Sequence, residues 1–366
     1  MTKKARVAVI GTGWWATTAH LPALRAHPDA EVIAVADQRP EVLAKATEAY
    51  EIDTQYTDYQ EMLDKEDLDG VVVATWNAAH YETVRACLEH DLHVMVEKPM
   101  VVTAKQARHL VDLSRGCGRE LIVGYPWHFS SRALRAQELV RSGDLGKVQY
   151  VNCHFSSSAG DFIRGSDELH REVFNYPVVG PGDVYSDPER SGGGQGHLQI
   201  THSAGIMYFI TGLRPSTVMA FMENLGARLD IVDAITVRMD NGALASVGST
   251  GNLQPGDPGK LSVTVHCDRG WLDIDFVSGA GHIRHADGTD EELPSIEGGG
   301  QPAAAEGGED AYPIHATSSN LVDVITGKAL NGSPCEVGWR TVEMLDAAYR
   351  SAASGGQVVS VDSLYD

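Results

Sequence analysis

Through the first third of the chain, short apolar runs alternate with segments of helical period. Val7–Ile10, Glu31–Ala36, Asp69–Thr75, His93–Val96 and Glu120–Val123 are dominated by Val, Ile, Ala and Met, the pattern of strands buried on both faces. Between them, Glu41–Tyr50, Ala79–His90 and Thr103–Gly116 place apolar residues at helical spacing, and Thr103 has the type and position of an N-cap. Strand and helix in alternation predict βαβ units and a doubly wound parallel sheet, a Rossmann-type α/β domain assigned to residues 1–124.

The pattern changes from Tyr125. A helix at Ser131–Ser142 leads into strands predicted at Val148–Ser156, Ser216–Met222, Leu229–Met239, Ala243–Thr250, Lys260–Cys267 and Gly270–Phe276. Close turns join several of them, and Asp240-Asn241-Gly242 is a strong hairpin signal. Residues 125–366 therefore read as an α+β domain with a large, mostly antiparallel sheet. A helix is expected over Gln195–Ile210, and two more, Ala316–Thr326 and Trp339–Ala353, close the chain. Gly279–Asp310 is polar and rich in Gly and Glu and reads as a surface loop. Asp161–Ser191 has little periodicity; it is either a substrate loop or a plain connection.

The first strand runs into Gly11-Thr12-Gly13-Trp14-Trp15-Ala16, a G-x-G-x-x-A turn between strand and helix. Gly11 permits the tight turn, Gly13 lets backbone approach a pyrophosphate at the helix N-terminus, and Ala16 takes the third small position. Asp37 ends the second strand 21 residues past Ala16, close to the spacing of about 20 expected for the acid that receives the adenosine ribose hydroxyls. It favours NAD over NADP, although Arg39 could meet a 2′-phosphate. Trp14 and Trp15 diverge by about 100° on a helix, so they cannot both face the sheet. Either both are packing residues or one walls the ligand pocket.

Composition narrows the partners. With 29 Lys and Arg against 50 Asp and Glu, the net charge of −21 disfavours nucleic acid and anionic membranes. Five scattered cysteines without C-x-x-C suit reduced thiols in a cytoplasmic enzyme, and no metal-ligating cluster is evident. Lys3, Lys4 and Arg6 precede an apolar run too short for a secretory signal, and no run is long enough to span a membrane.

Three further stretches carry a family resemblance: Ala74–Val84 (ATWNAAHYETV), Val96–Met100 (VEKPM) and Gly192–Gly212 (GGGQGHLQITHSAGIMYFITG). With the glycine turn, they make the chain resemble the glucose–fructose oxidoreductase/inositol dehydrogenase (Gfo/Idh/MocA) family over nearly its whole length. Thr75, Asn77, Glu97 and Lys98 fall at carboxyl ends of strands, where open α/β sheets bind ligands. The resemblance implies that Lys98 is catalytic at the reacting oxygen, that Pro99 follows a cis bond, and that Thr75, Trp76, Asn77, His80 and Glu97 join Gly11, Thr12, Gly13, Trp14, Trp15, Asp37 and Arg39 around the cofactor. It aligns Leu198 with the family's acid and His202 with its catalytic histidine, with His197 or Thr201 as alternative polar groups. Trp127 and His128 stand where relatives carry arginine, so Trp127, His197, His202 and Lys98 are the candidate substrate contacts. The implied activity is NAD-dependent hydride transfer at a secondary hydroxyl of a sugar, sugar derivative or cyclitol. A redox glycosidase or lyase and a catalytically silent sugar sensor are the rivals. A homodimer or homotetramer through the C-terminal sheet is the implied assembly.

Overall fold

The computed structural model describes residues 4–166, 176–254, 257, 259–296 and 312–366. The first sheet has six strands in the order β3-β2-β1-β4-β5-β6: β1 Ala5–Ile10, β2 Ala30–Ala36, β3 Gln55–Tyr56, β4 Gly70–Val73, β5 His93–Val96 and β6 Leu121–Val123. All are parallel. The order reverses direction between β1 and β4, so their carboxyl ends frame the crevice where such sheets take ligands. Every residue of β4 is buried, which is why its Gly-Val-Val-Val run carries no alternation.

Helices α1 Leu21–Ala26, α2 Pro40–Tyr50, α3 Tyr59–Lys65, α4 His80–Glu89 and α5 Ala104–Cys117 connect these strands. Thr103 caps α5, its Oγ1 accepting the Gln106 N–H, and Gly118 ends it in the left-handed region. The pair β3 and α3 was not anticipated. Only two residues of β3 join the sheet, too short a run to leave a periodic trace, and α3 is a two-turn helix marked mainly by its Asp58 cap.

The second sheet has nine strands, ordered β14-β13-β12-β11-β7-β10-β9-β8-β15. They are β7 Val148–Ser156, β8 Pro215–Glu223, β9 Val232–Met239, β10 Leu244–Thr250, β11 Lys260–Cys267, β12 Trp271–Asp275, β13 Gly281–Arg284, β14 Asp290–Leu293 and β15 Val359–Ser360. Among the described residues of this sheet, only β7 and β10 pair in parallel. The expected hairpin joins β9 to β10, with Gly242 at φ 90°. Helix α6 Ser131–Arg141 and helix α7 Thr201–Thr211 pack on one face of this sheet with the carboxyl-terminal helix α9 Cys335–Ala353. Every residue of α7 is buried, as an apolar-all-round helix must be.

Gly279–Asp310 is a loop only in part. Its first portion forms the β13–β14 hairpin around Asp287-Gly288, while residues 297–311 lie outside the described residues. Its strands hide in the sequence because their cross-strand pairs are charged: His282 with Glu292 and Asp290, and Arg284 with Asp290. The last helix starts at Cys335, a turn before Trp339, because Pro334 precedes it and fixes its entry.

Helix α8 Ala316–Ile325 lies not on the second sheet but on the first. Leu321 and Val322 bury against Val7, Val9, Val72, Met95 and Ile122, beside α1 and α2. Val342 of α9 and Cys335 join the core on the opposite face, with α3, α4 and α5. Carboxyl-terminal residues thus add to the helical cover on both faces of the first sheet.

Candidate functional site

The glycine turn forms as its residue types require. Gly11 has φ 90°, and a Cβ there would lie 2.5 Å from the Ala74 carbonyl oxygen, so only glycine lets β1 end against β4. Thr12 donates its N–H (2.9 Å) and its hydroxyl (3.2 Å) to Asp37 Oδ2. Arg39 grips the same carboxylate, with Nε 3.0 Å from Oδ1 and Nη2 2.9 Å from Oδ2. Burial opposes ionisation of Asp37, but the Arg39 and Thr12 bonds prevail and hold its carboxyl below the usual range. The guanidinium also lies over Gly13, 3.4 Å from where a Cβ would stand. The chain then makes a π-helical turn, Ala16–His20, before α1.

At the ends of β4 and β5, Thr75 Oγ1 is buried with no hydrogen-bond partner. His80 Nδ1 lies 2.8 Å from the Pro99 carbonyl and Nε2 3.1 Å from that of Thr75. Burial pushes its pKa down, so the neutral ring donates to one of these two carbonyls at a time, while its unprotonated nitrogen faces the other. Asn77 donates to the Ser191 carbonyl at 2.8 Å, and the Arg190 guanidinium sits 5.9 Å from the Trp76 ring centre. The Lys98–Pro99 bond is cis, as the resemblance implies. These groups fit a dinucleotide: a turn with no Cβ at positions 11 and 13, an ionised carboxylate past β2 and a buried Thr75 hydroxyl without a partner among the described residues.

The segment Gly192–Leu198 is fixed from behind. Asp230 accepts the N–H groups of Gly194 and Gly196, both at 2.8 Å, and the Tyr349 hydroxyl at 3.0 Å. Side chains at 193 or 194 would collide with Tyr349 or the Asp230 backbone, which accounts for the triple glycine. The helix then opens with a second π turn, Gly196–Ile200, in which the Thr201 N–H reaches back five residues to Gly196.

Where the resemblance places the family's acid, the structure has Leu198 within this wide turn. The Leu198 side chain packs with Trp14, Phe162, Ile163 and Ile231. Its carbonyl oxygen accepts a hydrogen bond from Lys98 Nζ at 3.2 Å. Neither polar alternative turns toward the lysine. Thr201 pairs with the Tyr125 hydroxyl at 3.0 Å, and the His197 ring lies 4.9 Å from Tyr349 with Nδ1 3.3 Å from the Ser191 carbonyl. His197 therefore backs the glycine segment rather than joining Lys98 and His202. Burial lowers the Lys98 pKa against the raising charge of Glu97. His202 is held well below the ordinary histidine value by burial first, then by the charges of Lys98 and His128. Its ring is neutral at pH 7, and Nδ1 is buried with no partner.

Aromatic rings wall this centre. Trp127 meets His202 edge-on at 5.0 Å and stacks on Tyr312 at 4.4 Å, and Tyr312 reaches Trp15 at 6.5 Å. Trp14 turns the other way, edge-on to Trp15 at 5.5 Å and Tyr185 at 6.5 Å. So one tryptophan enters the Leu198 cluster and the other joins the wall. His128 stacks on Phe209 at 4.3 Å, away from the centre, its pKa pushed down by burial to about 3. Tyr312 and Asp230 escaped the sequence reading; each lies more than a hundred residues from Lys98, and neither carries a local motif.

Residues 5–125 match the oxidoreductase family with an NAD-binding Rossmann fold, GFO_IDH_MocA, and residues 133–273 match a GFO/IDH/MocA C-terminal domain. The chain is 34% identical to the D-glucoside 3-dehydrogenase of Escherichia coli over 39% of its own length and 41% of that enzyme's. It is 26% identical to the dTDP-3,4-didehydro-2,6-dideoxy-alpha-D-glucose 3-reductase of Saccharopolyspora spinosa over 68% of this chain and 69% of that one. With several curated relatives the match takes in less than half of the relative's length. The fold is shared with a levoglucosan dehydrogenase solved with NADH, at TM-score 0.78 and 19% identity, over 98% of this chain and 99% of that one. Among the described residues, no helix is long and apolar enough to cross a membrane.

Asp233, next to the Asp230 anchor, is 3% exposed, and its carboxyl oxygens have no hydrogen-bond partner. Burial, then the Asp230 charge, pushes its pKa up to about 9. The folded state keeps this proton while the unfolded chain releases it near pH 4, so the group's contribution is full below that pH and is lost as pH rises toward 9. Asp233→Asn is expected to leave Tm little changed at pH 5 and to raise it by several °C at pH 8, on the order of 1 kcal/mol per pH unit at most. Thermal melts across that range check it; a Tm difference independent of pH would show that Asp233 is ionised in the fold.

Proposed function

The chain belongs to the Gfo/Idh/MocA oxidoreductase family, and from that premise we propose that it is an NAD-dependent dehydrogenase of a sugar, sugar derivative or cyclitol. The observation that carries the reading is the pairing of Lys98, aimed from the end of β5 at the Leu198 carbonyl, with a neutral His202 on the helix above it. NAD bound at the glycine turn supplies the hydride acceptor. Lys98 binds the substrate hydroxyl, and Lys98 and His202 between them take its proton as the carbinol hydrogen leaves as hydride. The neutral imidazole can accept a proton, and the ammonium can stabilise the developing oxyanion. Trp127 and Tyr312 offer flat apolar surface to a sugar ring, in keeping with the carbohydrate relatives. An assembly through the open face of the second sheet has support in Tyr150, Phe221 and Leu244, which are 39%, 58% and 41% exposed. The deciding experiment supplies polyols, free sugars and glycosides with NAD. Accumulating NADH supports the dehydrogenase; aglycone release without NADH supports the redox glycosidase.

Three outcomes test the roles. Asp37, ionised beside the ribose position, is expected to make NAD bind at least ~10-fold more tightly than NADP, about 1.4 kcal/mol by calorimetry. Tighter NADP binding would mean that Arg39 leaves Asp37 for the 2′-phosphate.

Lys98→Ala is expected to keep its fold and NAD binding while turnover falls about 10²–10⁴-fold. Unchanged turnover would move the chemistry to another residue.

His202→Ala is expected to be similarly impaired. Because the ring must stay neutral to accept a proton, and its pKa is depressed, turnover of the unaltered enzyme should persist as pH falls through 6.5 and fail only below it. A pH–rate profile with its acid limb above 6.5 would contradict a buried, neutral His202.

A further inference from the structure

His20 is completely buried in the π turn that follows the glycine turn, and no step above uses it. Its ring bridges distant parts of the chain. Nδ1 lies 2.8 Å from Ser318 Oγ on α8, and Nε2 lies 3.1 Å from Glu97 Oε1. The other oxygen of Glu97 accepts the Lys98 N–H at 3.2 Å. Gly124 closes the remaining side, since a Cβ there would lie 2.6 Å from Glu97 Oε1. The carboxylate is thus packed into one orientation at the base of the reacting lysine.

The proton arrangement follows from donor and acceptor types. Burial opposes ionisation of Glu97, but the His20 bond and the charges of His20 and Lys98 hold its pKa below the ordinary value. An ionised carboxylate can only accept, so Nε2 of His20 donates to it and Nδ1 faces the Ser318 hydroxyl, which can either donate or accept. The titratable groups facing Glu97 are His20, Lys98, His80 and the phenols of Tyr125, Tyr185 and Tyr312. Among the described residues, those facing Lys98 are Glu97, His80 and His202, and of these only Glu97 favours the ammonium.

We propose that His20 is a positioning residue of the reaction centre: pinned by Ser318, it holds the Glu97 carboxylate beside Lys98 and so sets the pH at which the Lys98 amine gives up its proton. The proposal rests on Lys98 being the proton-transfer group. Without the His20 donor, Glu97 is left buried with one oxygen unpaired, and such a carboxyl takes up a proton rather than stay charged. Lys98 then loses the one charge that favours its ammonium, and burial alone governs it.

The test needs no substrate. The full chain is pulsed with acetic anhydride across a pH series, and acetylation of Lys98 is read by mass spectrometry against the exposed Lys45. In His20→Leu the midpoint for Lys98 is expected to fall by about one pH unit, an approximately tenfold faster reaction at neutral pH. His20→Gln, which keeps an N–H donor, is expected to return the midpoint toward that of the unaltered protein. Ser318→Ala, which frees the ring to take the wrong tautomer, is expected to shift it in the same direction by less, and it decides the matter if His20→Leu does not fold. Equal midpoints in the unaltered protein, the folded His20 variant and Ser318→Ala would overturn the proposal. If the midpoints move as expected but Lys98→Ala still turns over a sugar, the relay stands and the catalytic assignment of Lys98 falls.

Discussion

The site depends on one constraint: the glycine segment before α7 must lie in backbone contact with the strand ends of the first sheet. Asn77 reaches the Ser191 carbonyl and Lys98 reaches that of Leu198, so two main-chain acceptors from the second half receive side chains from the first. From behind, Asp230 holds the same segment through its N–H groups and is itself held by the Tyr349 hydroxyl. A carboxylate accepting several such bonds at a helix start stabilises it twice, by satisfying orphan donors and by opposing the helix dipole. The Val102 side chain at Gly192, the Tyr349 ring at Gly193 and the Asp230 main chain at Gly194 leave no room for side chains, which is why the segment is written in glycine.

The electrostatic consequence is a centre with little charge to spare. Removing an ammonium from water costs several kcal/mol even after relaxation. At Lys98 the compensation consists of a carbonyl bond, worth roughly 1.5–3 kcal/mol to a charged donor, and the neighbouring charge of Glu97. Burial still prevails, and the lysine is shifted toward its neutral form. His202 is shifted the same way, with the lysine charge adding to burial. Two groups that surrender protons easily, side by side, suit chemistry in which an alcohol proton must be received and returned near neutral pH.

How far this was legible in the sequence depends on what each feature leaves behind. The parallel sheet was legible because strands buried on both faces leave unbroken apolar runs such as Gly70–Val73. The glycine turn and Asp37 are marked by residue type and spacing, and the Glu97-Lys98-Pro99 strand end by its family resemblance. The β13–β14 hairpin was hidden because its pairing is ionic rather than apolar. The two π turns leave no periodic signal, since a single widened turn displaces a pattern by less than the scatter of real sequences. Ser318 and Tyr312 meet the first sheet only because α8 crosses to it, a long-range fact that no local window contains.

Leu198 shows most clearly where such reading stops. By type it is the loss of an acid, and the natural search is for a compensating polar side chain at 197 or 201. What the fold brings to the lysine there has no residue identity: a main-chain carbonyl within the π turn. The exchange has a physical logic. A carboxylate at that place would hold the Lys98 proton more firmly and favour a charged His202. A carbonyl orients the amine while leaving its proton loosely held, and the leucine side chain is released to pack with Trp14 and Phe162. Orientation and charge are thereby divided between two groups: the Leu198 carbonyl aims the lysine, and among the described residues Glu97 supplies the negative charge it feels. A centre that relies on one carboxylate has reason to fix that carboxylate rigidly, and Glu97, enclosed by His20, Gly124 and the Lys98 main chain, is fixed on every side described.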